Sequence, residues 1–188
     1  MNILTDMLPS FVCINGTNYP INTDFRVWIK VTQAFVNRCS DGGQIGQLFF
    51  ELFNSVPNEP VEDIMKALFE FYNPPSKMAA GNKNEAKKRQ FDYDYDDELI
   101  YAGFLQQYNI DLTATNLHWW KFKALMNNLG ESTQFAKVVG YRAMDLSEIK
   151  DKEQRKWYAK MKRLYRLPDN RTEEEKERDF CDAIAGVF

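Results

Sequence analysis

The run from Asp92 to Glu98, DYDYDDE, places five carboxylates within seven residues. Carboxylate oxygens are the ligands that Ca²⁺ prefers, so the run could in principle hold a cation. A calcium-binding loop that began at Asp92 would need glycine at its sixth position and glutamate at its twelfth, which hold Asp97 and Gly103 instead. We therefore interpret the run as the acidic start of a helix, where the helix dipole stabilises negative charge.

Histidine and cysteine offer little further chemistry. His118 is the one histidine, and its position before a tryptophan pair is typical of packing or of a helix-start contact. Cys13, Cys39 and Cys181 are widely spaced and form no CxxC pair, which predicts free thiols instead of a zinc site or a disulfide framework. Phosphate-loop, nucleophile-elbow and zinc-protease motifs are absent from the sequence. We expect no catalytic residue, no metal and no cofactor, and hence a protein that is not an enzyme.

Aromatic side chains in a predicted helix over 117–129 suggest binding. Its apolar residues form two stripes, one with Trp120 and the other with Trp119 and Phe122, so two of its sides must be covered. Aromatic residues dominate protein cores, and tryptophan is also enriched at the centres of interfaces. The helix is therefore either the central element of its part of the chain or a surface that binds a partner.

A basic helix is predicted to begin at Leu146-Ser147, to run to about Leu167 and to end at Pro168. Its charged side chains are candidates for partner binding, together with Arg142 in the helix before it: Arg155, Lys156, Lys160, Arg163 and Arg166. Three interpretations remain open, namely a solvated face, a docking face for an acidic protein and a nucleic-acid surface. The pI near 5.3 argues against a protein devoted to nucleic acid.

The whole chain has 188 residues and a net charge of −3, with 44% hydrophobic residues. Such a length and composition suit one globular domain or two small ones. The charge is unevenly distributed, because residues 1–72, 91–98 and 169–179 are acidic whereas 76–90 and 147–167 are basic.

The N-terminus lacks the pattern of a signal peptide, and no apolar run approaches the roughly 20 residues that cross a bilayer. We expect no membrane partner.

The elements that position these residues follow from hydrophobic periodicity. Two short apolar runs around Asn15-Gly16 predict a β-hairpin. A helix capped by Asn22 or Thr23 follows over 25–36, then helices near 45–53 and 61–72. The later helices are predicted over about 97–108, 117–129, 133–141 and 147–167, with a last one from Thr172.

A linker divides the chain in this interpretation. Asn73-Pro74-Pro75 stops the preceding helix, and the residues up to 90 are polar and basic. We predict a mainly α fold, a multi-helix bundle in two lobes with a short N-terminal β-hairpin. Its parts are a hairpin plus a three-helix lobe over 1–72, a flexible basic linker over 73–90 and a C-terminal helical lobe over 91–188.

The C-terminal part resembles a small family of tail-region proteins from long-tailed phages of Gram-positive bacteria, labelled by gene product fifteen. The resemblance rests on IYAGFLQQYNIDL at 100–112, LHWWKFKALMNNL at 117–129, FAKVVGYRAMDLS at 135–147 and KDKEQRKWYAKMKR at 150–163. The segment YPINTDFRVWI at 19–29 is similar more weakly.

This resemblance implies a tail assembly chaperone that binds the tape-measure protein in the host cell cytoplasm and is absent from the mature virion. The major tail protein is a further expected partner. It implies no catalytic residue. Self-association is a further expectation. The alternatives are a minor structural protein of the tail or of the head-tail junction, and a nucleic-acid-binding regulator. We place the partner surface at Trp119, Trp120, Phe122, Arg142 and the basic face from Arg155 to Arg166.

Overall fold

The computed structural model describes residues 2–36, 42–73 and 90–168. Within these ranges the elements are β1 (Phe11–Ile14), β2 (Thr17–Pro20), α1 (Phe25–Val36), α2 (Gly42–Leu52), α3 (Val61–Tyr72), α4 (Asp97–Tyr108), α5 (Trp119–Met126), α6 (Gln134–Ala143) and α7 (Lys152–Leu164). The prediction of a mainly α-helical fold with a short N-terminal hairpin is confirmed. Nearly all of the predicted linker and the whole predicted helix from Thr172 lie outside the described residues.

The hairpin forms at the predicted place, because its turn residues tolerate the required backbone. Ile14 pairs with Thr17 across a two-residue turn. Asn15 has φ of 49° and Gly16 has φ of 83°. Positive φ at both central positions defines the turn type that matches the twist of a two-stranded ribbon. The Asn15 side chain also donates to carboxylates that precede and begin α3, which joins the hairpin to that helix.

The start of α1 is joined to the start of α5. Asp24, rather than the predicted Asn22 or Thr23, accepts the first free backbone N–H of α1, that of Arg26. The Arg26 guanidinium then donates to the carbonyls of Leu112 and Thr115 in the loop before α5, at 2.6 and 3.0 Å. One side chain thus holds a loop that is remote from it in sequence.

A single hydrophobic cluster contains residues from both sides of the predicted linker. The ring of Phe122 in α5 stacks on Phe25 of α1 at 4.6 Å between centroids and on Phe104 of α4 at 5.2 Å. Stacked ring pairs of this kind stabilise a core beyond the area that they bury. The described residues therefore pack around one continuous core.

Two predicted helices are shorter in the structure. The α5 helix spans Trp119–Met126 and not 117–129, since its cap residue His118 has an extended backbone. The α7 helix begins at Lys152 and not near Ser147, because the Asp145 carboxylate accepts the N–H and hydroxyl of Ser147 in a local turn. Asp151 then caps α7 through the N–H of Gln154.

Replacing Phe122 by alanine is expected to lower the free energy of unfolding by about 3–5 kcal/mol, because it opens a cavity between three helices. The matched control is Phe50→Ala, since Phe50 is 75% exposed and its loss should change stability by less than about 0.5 kcal/mol. Chemical denaturation of both variants gives the comparison. Equal effects at the two positions would contradict the central role of Phe122.

Candidate protein-docking surface

Three donors of α5 cap the C-terminal end of α3. The indole N–H of Trp119 donates to the carbonyl of Tyr72 at 3.1 Å, and that of Trp120 donates to the carbonyl of Phe71 at 2.7 Å. The Lys123 ammonium donates to the Tyr72 carbonyl at 2.9 Å. The last carbonyls of a helix have no partner within it and carry partial negative charge, so these contacts satisfy them.

The Lys123 ammonium also lies over two aromatic rings. Its Nζ is 4.3 Å from the centroid of the Tyr72 ring and 5.4 Å from that of Trp119. Burial among these rings lowers the pKa of Lys123 to about 8, because removal from water disfavours the charged form. The faces of the two rings and the carbonyls at the end of α3 stabilise the ammonium cation of Lys123, which explains its presence in a largely apolar setting.

His118 caps α5 in its neutral form. Its Nδ1 accepts the backbone N–H of Trp120 at 3.1 Å, and its Nε2 lies 3.0 Å from the carbonyl of Pro9. Because a carbonyl can only accept, Nε2 carries the single proton and Nδ1 is free to accept. Burial lowers the pKa of His118 below its ordinary value of 6.5, which keeps this tautomer at neutral pH.

The aromatic residues of the predicted partner surface lie in the core. Trp119 and Phe122 have no exposed surface, and Trp120 is buried at 8%. The structure therefore matches the core interpretation that the sequence left open for this helix, and a partner could reach these rings only by displacing the elements that cover them.

Arg142, also predicted for that surface, is the central donor of a largely buried hydrogen-bond network. Its guanidinium binds both carboxylate oxygens of Asp96, at 2.6 and 2.9 Å, in the two-bond geometry that arginine favours. The same side chain donates to the carbonyls of Tyr165 and Gln90. Asp96 in turn accepts the backbone N–H of Asp92. Arg142 thus joins α6 to the start of α4 and to the residue that follows α7.

The α7 helix lies outside the core. None of its residues is buried, and its one strongly packed neighbour is α6. Tyr141 of α6 contacts Trp157 edge-to-face at 5.4 Å and stacks on Tyr165 at 6.0 Å. The Lys162 ammonium donates to the carbonyl of Met144 at 2.6 Å. A few aromatic and polar contacts therefore hold α7 in place.

The remaining predicted site residues meet on the outer side of α7. The predicted basic residues Arg155, Lys156, Lys160 and Arg163 are all exposed on this helix, as is Lys152 at its start, and Arg166 is exposed just beyond its end. Two large apolar side chains that the predicted site omitted border them, since Trp157 is 47% and Leu164 65% exposed. Their spacing of seven residues places them on one stripe of the helix, a signal that is visible in the sequence. We name Trp157, Leu164, Lys156, Lys160 and Arg163 the α7 surface.

The α7 surface combines exposed apolar side chains with charged neighbours. Large apolar patches with a charged border are typical of interaction sites. Among the described residues, no group of three histidine, cysteine, aspartate or glutamate side chains is placed to hold a metal ion. No helix in the described ranges is long and apolar enough to span a membrane.

Most of the chain matches a protein-family model. A family model described as Bacteriophage Gp15 protein matches residues 4–167, which is most of the chain and includes the hairpin and all seven described helices. No curated protein and no solved structure matches the chain significantly.

Replacing His118 by asparagine is expected to reduce the loss of stability in mild acid. The folded state requires neutral His118, whereas the unfolded chain takes up a proton on this residue below about pH 6.5. The free energy of unfolding is therefore at its full value above that pH and falls as the pH drops below it. Asparagine caps a helix without titrating. The melting temperature of the wild type should therefore fall further than that of His118→Asn between about pH 7 and about pH 5. Parallel pH profiles would contradict the capping role.

Replacing Arg142 by methionine should destabilise the fold by about 3–5 kcal/mol, because Asp96 is left as an unpaired buried charge. The double variant Asp96→Asn/Arg142→Met removes both charges and should be less destabilised than the single variant. Arg163→Met, at an exposed position, is the matched control with an expected effect below about 0.5 kcal/mol. Urea denaturation measures these variants together with Asp96→Asn, which completes the cycle. Additive effects at Asp96 and Arg142 would show that the pair is not coupled.

Proposed function

The chain belongs to the Bacteriophage Gp15 protein family, and from this premise we propose that it is a tail assembly chaperone that acts by binding, without catalysis. Its client is the tape-measure protein, and it assists the assembly of tail-tube subunits around that client. The α7 surface is the observation that supports a binding role, because it combines exposed apolar and basic side chains on a helix outside the core.

The chemistry of this surface suits a helical client. An amphipathic helix docks by inserting its apolar face against an apolar stripe, and Trp157 and Leu164 provide such a stripe. Tryptophan and arginine are the side chains most enriched among residues that dominate binding energy. The lysines and arginines beside the stripe favour a client segment that carries acidic residues, and opposite charges accelerate encounter.

The proposed role includes a place and a time. The protein acts in the host cell cytoplasm while the tail is built, meets the tape-measure protein and possible tail-tube partners there, and leaves before the virion is complete. The placement of α7 outside the core fits a reversible contact, since a client can bind and leave without disturbing the central ring stack.

Co-expression with the tape-measure protein is the test. The wild type should keep the client in the soluble fraction and be recovered with it in a complex. The variant Lys156→Glu/Lys160→Glu/Arg163→Glu reverses the charge of the α7 surface and should weaken the complex by at least about tenfold, as like charges face the acidic client. The matched control is Lys121→Glu/Lys137→Glu, which reverses two exposed charges on other helices.

Three outcomes would contradict this proposal. One is a client that stays insoluble, with no complex, in the presence of the wild type. Another is equal loss of binding in the control variant, which would indicate a general charge effect. The third is stoichiometric recovery of the protein from purified virions by mass spectrometry, which would favour a structural component of the tail.

A further inference from the structure

The outer face of α3 also exposes a large apolar side chain on a charged helix. Phe69 is 67% exposed. Glu62 lies two turns before Phe69 on the same side of the helix, and Glu70 follows Phe69 directly, both exposed. The exposed Lys66 lies between Glu62 and Glu70 on this side of the helix, one turn from each. We name Glu62, Lys66, Phe69 and Glu70 the α3 surface, which keeps a net negative charge.

The α3 and α7 surfaces have opposite charge. The α3 helix carries three acidic residues and one lysine, whereas α7 carries six basic residues and one glutamate. Both surfaces also present aromatic side chains, Phe69 on one and Trp157 on the other. Two helices that match in this way can pair through an apolar stripe with flanking ion pairs, as in helix-helix recognition generally.

Within one chain the two helices that carry these surfaces pack against different elements. The inner face of α3 packs against β1, and α7 packs on α6. The contacts at the end of α3 fix that helix to α5, and Arg142 fixes the end of α7 to α6 and α4. Because both helices are tied to separate parts of the fold, a second copy of the chain is the partner that can bring an α3 surface onto an α7 surface.

We propose that the protein self-associates head to tail, with the α3 surface of one copy seated on the α7 surface of the next. Such a contact is not self-complementary, so it leaves one surface free at each end and continues into a ring or an open chain. A single pair of helices buries less than the roughly 1,200 Å² of a stable standard interface. The association should therefore be weak and concentration-dependent.

This inference goes beyond the proposed function, because it requires no client. It has a consequence for that function, since the α7 surface is the one that we propose for the tape-measure protein. Self-association would cover this surface while no client is present, and the client would compete with the neighbouring copy.

Analytical ultracentrifugation of the purified full chain over a concentration series tests the proposal. The wild type should show a weight-average mass that rises with concentration. Two charge-reversal variants are compared with it: Lys156→Glu/Lys160→Glu/Arg163→Glu on α7 and Glu62→Lys/Glu70→Lys on α3. Each variant alone brings like charges together and should weaken association by at least about tenfold. Circular dichroism spectra and melting curves establish that the variants are folded.

Mixing the two variants is the decisive measurement. The α7 variant is acidic on both surfaces, and the α3 variant is basic on both. In the mixture, each surface of one variant therefore finds an oppositely charged surface on the other. The mixture should therefore associate as the wild type does, although neither variant does so alone. Restoration on mixing is a result that a general loss of stability or solubility could not produce.

Several results would overturn the proposal. The proposal is wrong if the wild type remains a monomer at all concentrations. It is also wrong if the single variants associate normally or if their mixture fails to associate. A monomeric wild type whose Trp157 fluorescence changes when residues 169–188 are removed would also contradict it. In that case the acidic end of the same chain, and not a second copy, would occupy the α7 surface. The α3 variant separates this proposal from the chaperone role, since it retains the α7 surface. It should bind the tape-measure protein at least as tightly as the wild type, because no neighbouring copy competes for that surface.

Discussion

The buried indole of Trp119 is the constraint on which most other contacts depend. Its ring packs against Trp28 of α1 and Tyr72 of α3, and its N–H donates to the Tyr72 carbonyl. A buried N–H without a partner costs about 1–3 kcal/mol, so the ring and its N–H together permit essentially one orientation of α5. That orientation directs Phe122 to the centre of the ring stack, and through it α1, α4 and α5 share one core.

The α7 helix depends on this core only indirectly. Its contacts run through α6, and the charged network of Arg142 connects its end to Asp96 at the start of α4. Helices with few buried contacts open at lower free energy than core helices. The protein thus combines a rigid aromatic centre with a peripheral helix, and the surfaces that we propose for binding lie on helix faces that the centre does not use.

The sequence predicts the elements of this fold better than the roles of their side chains. Asn15-Gly16 specifies the hairpin turn, and apolar periodicity specifies the helices, because both signals are local. The predicted start of α7 is wrong, since Asp145 and Asp151 can both begin a helix and only the tertiary fold selects between them. Arg142 has the pattern of a surface residue, and its burial requires Asp96, which is 46 positions away. The exposure of the predicted basic face is within reach of sequence analysis. For Trp119 the sequence offers both burial and partner binding, and only the tertiary fold decides between them.

The contacts on either side of residues 74–89 have a practical consequence for protein engineering. Asn73 follows the α3 end that α5 caps, and the Gln90 carbonyl accepts a bond from Arg142. The fold itself fixes both attachment points. Between two fixed points, lengthening a flexible loop costs about 0.6 kcal/mol for each doubling of its length. A fluorescent reporter or an affinity tag could be carried there, away from both termini, with the aromatic centre and the two charged helix faces left intact.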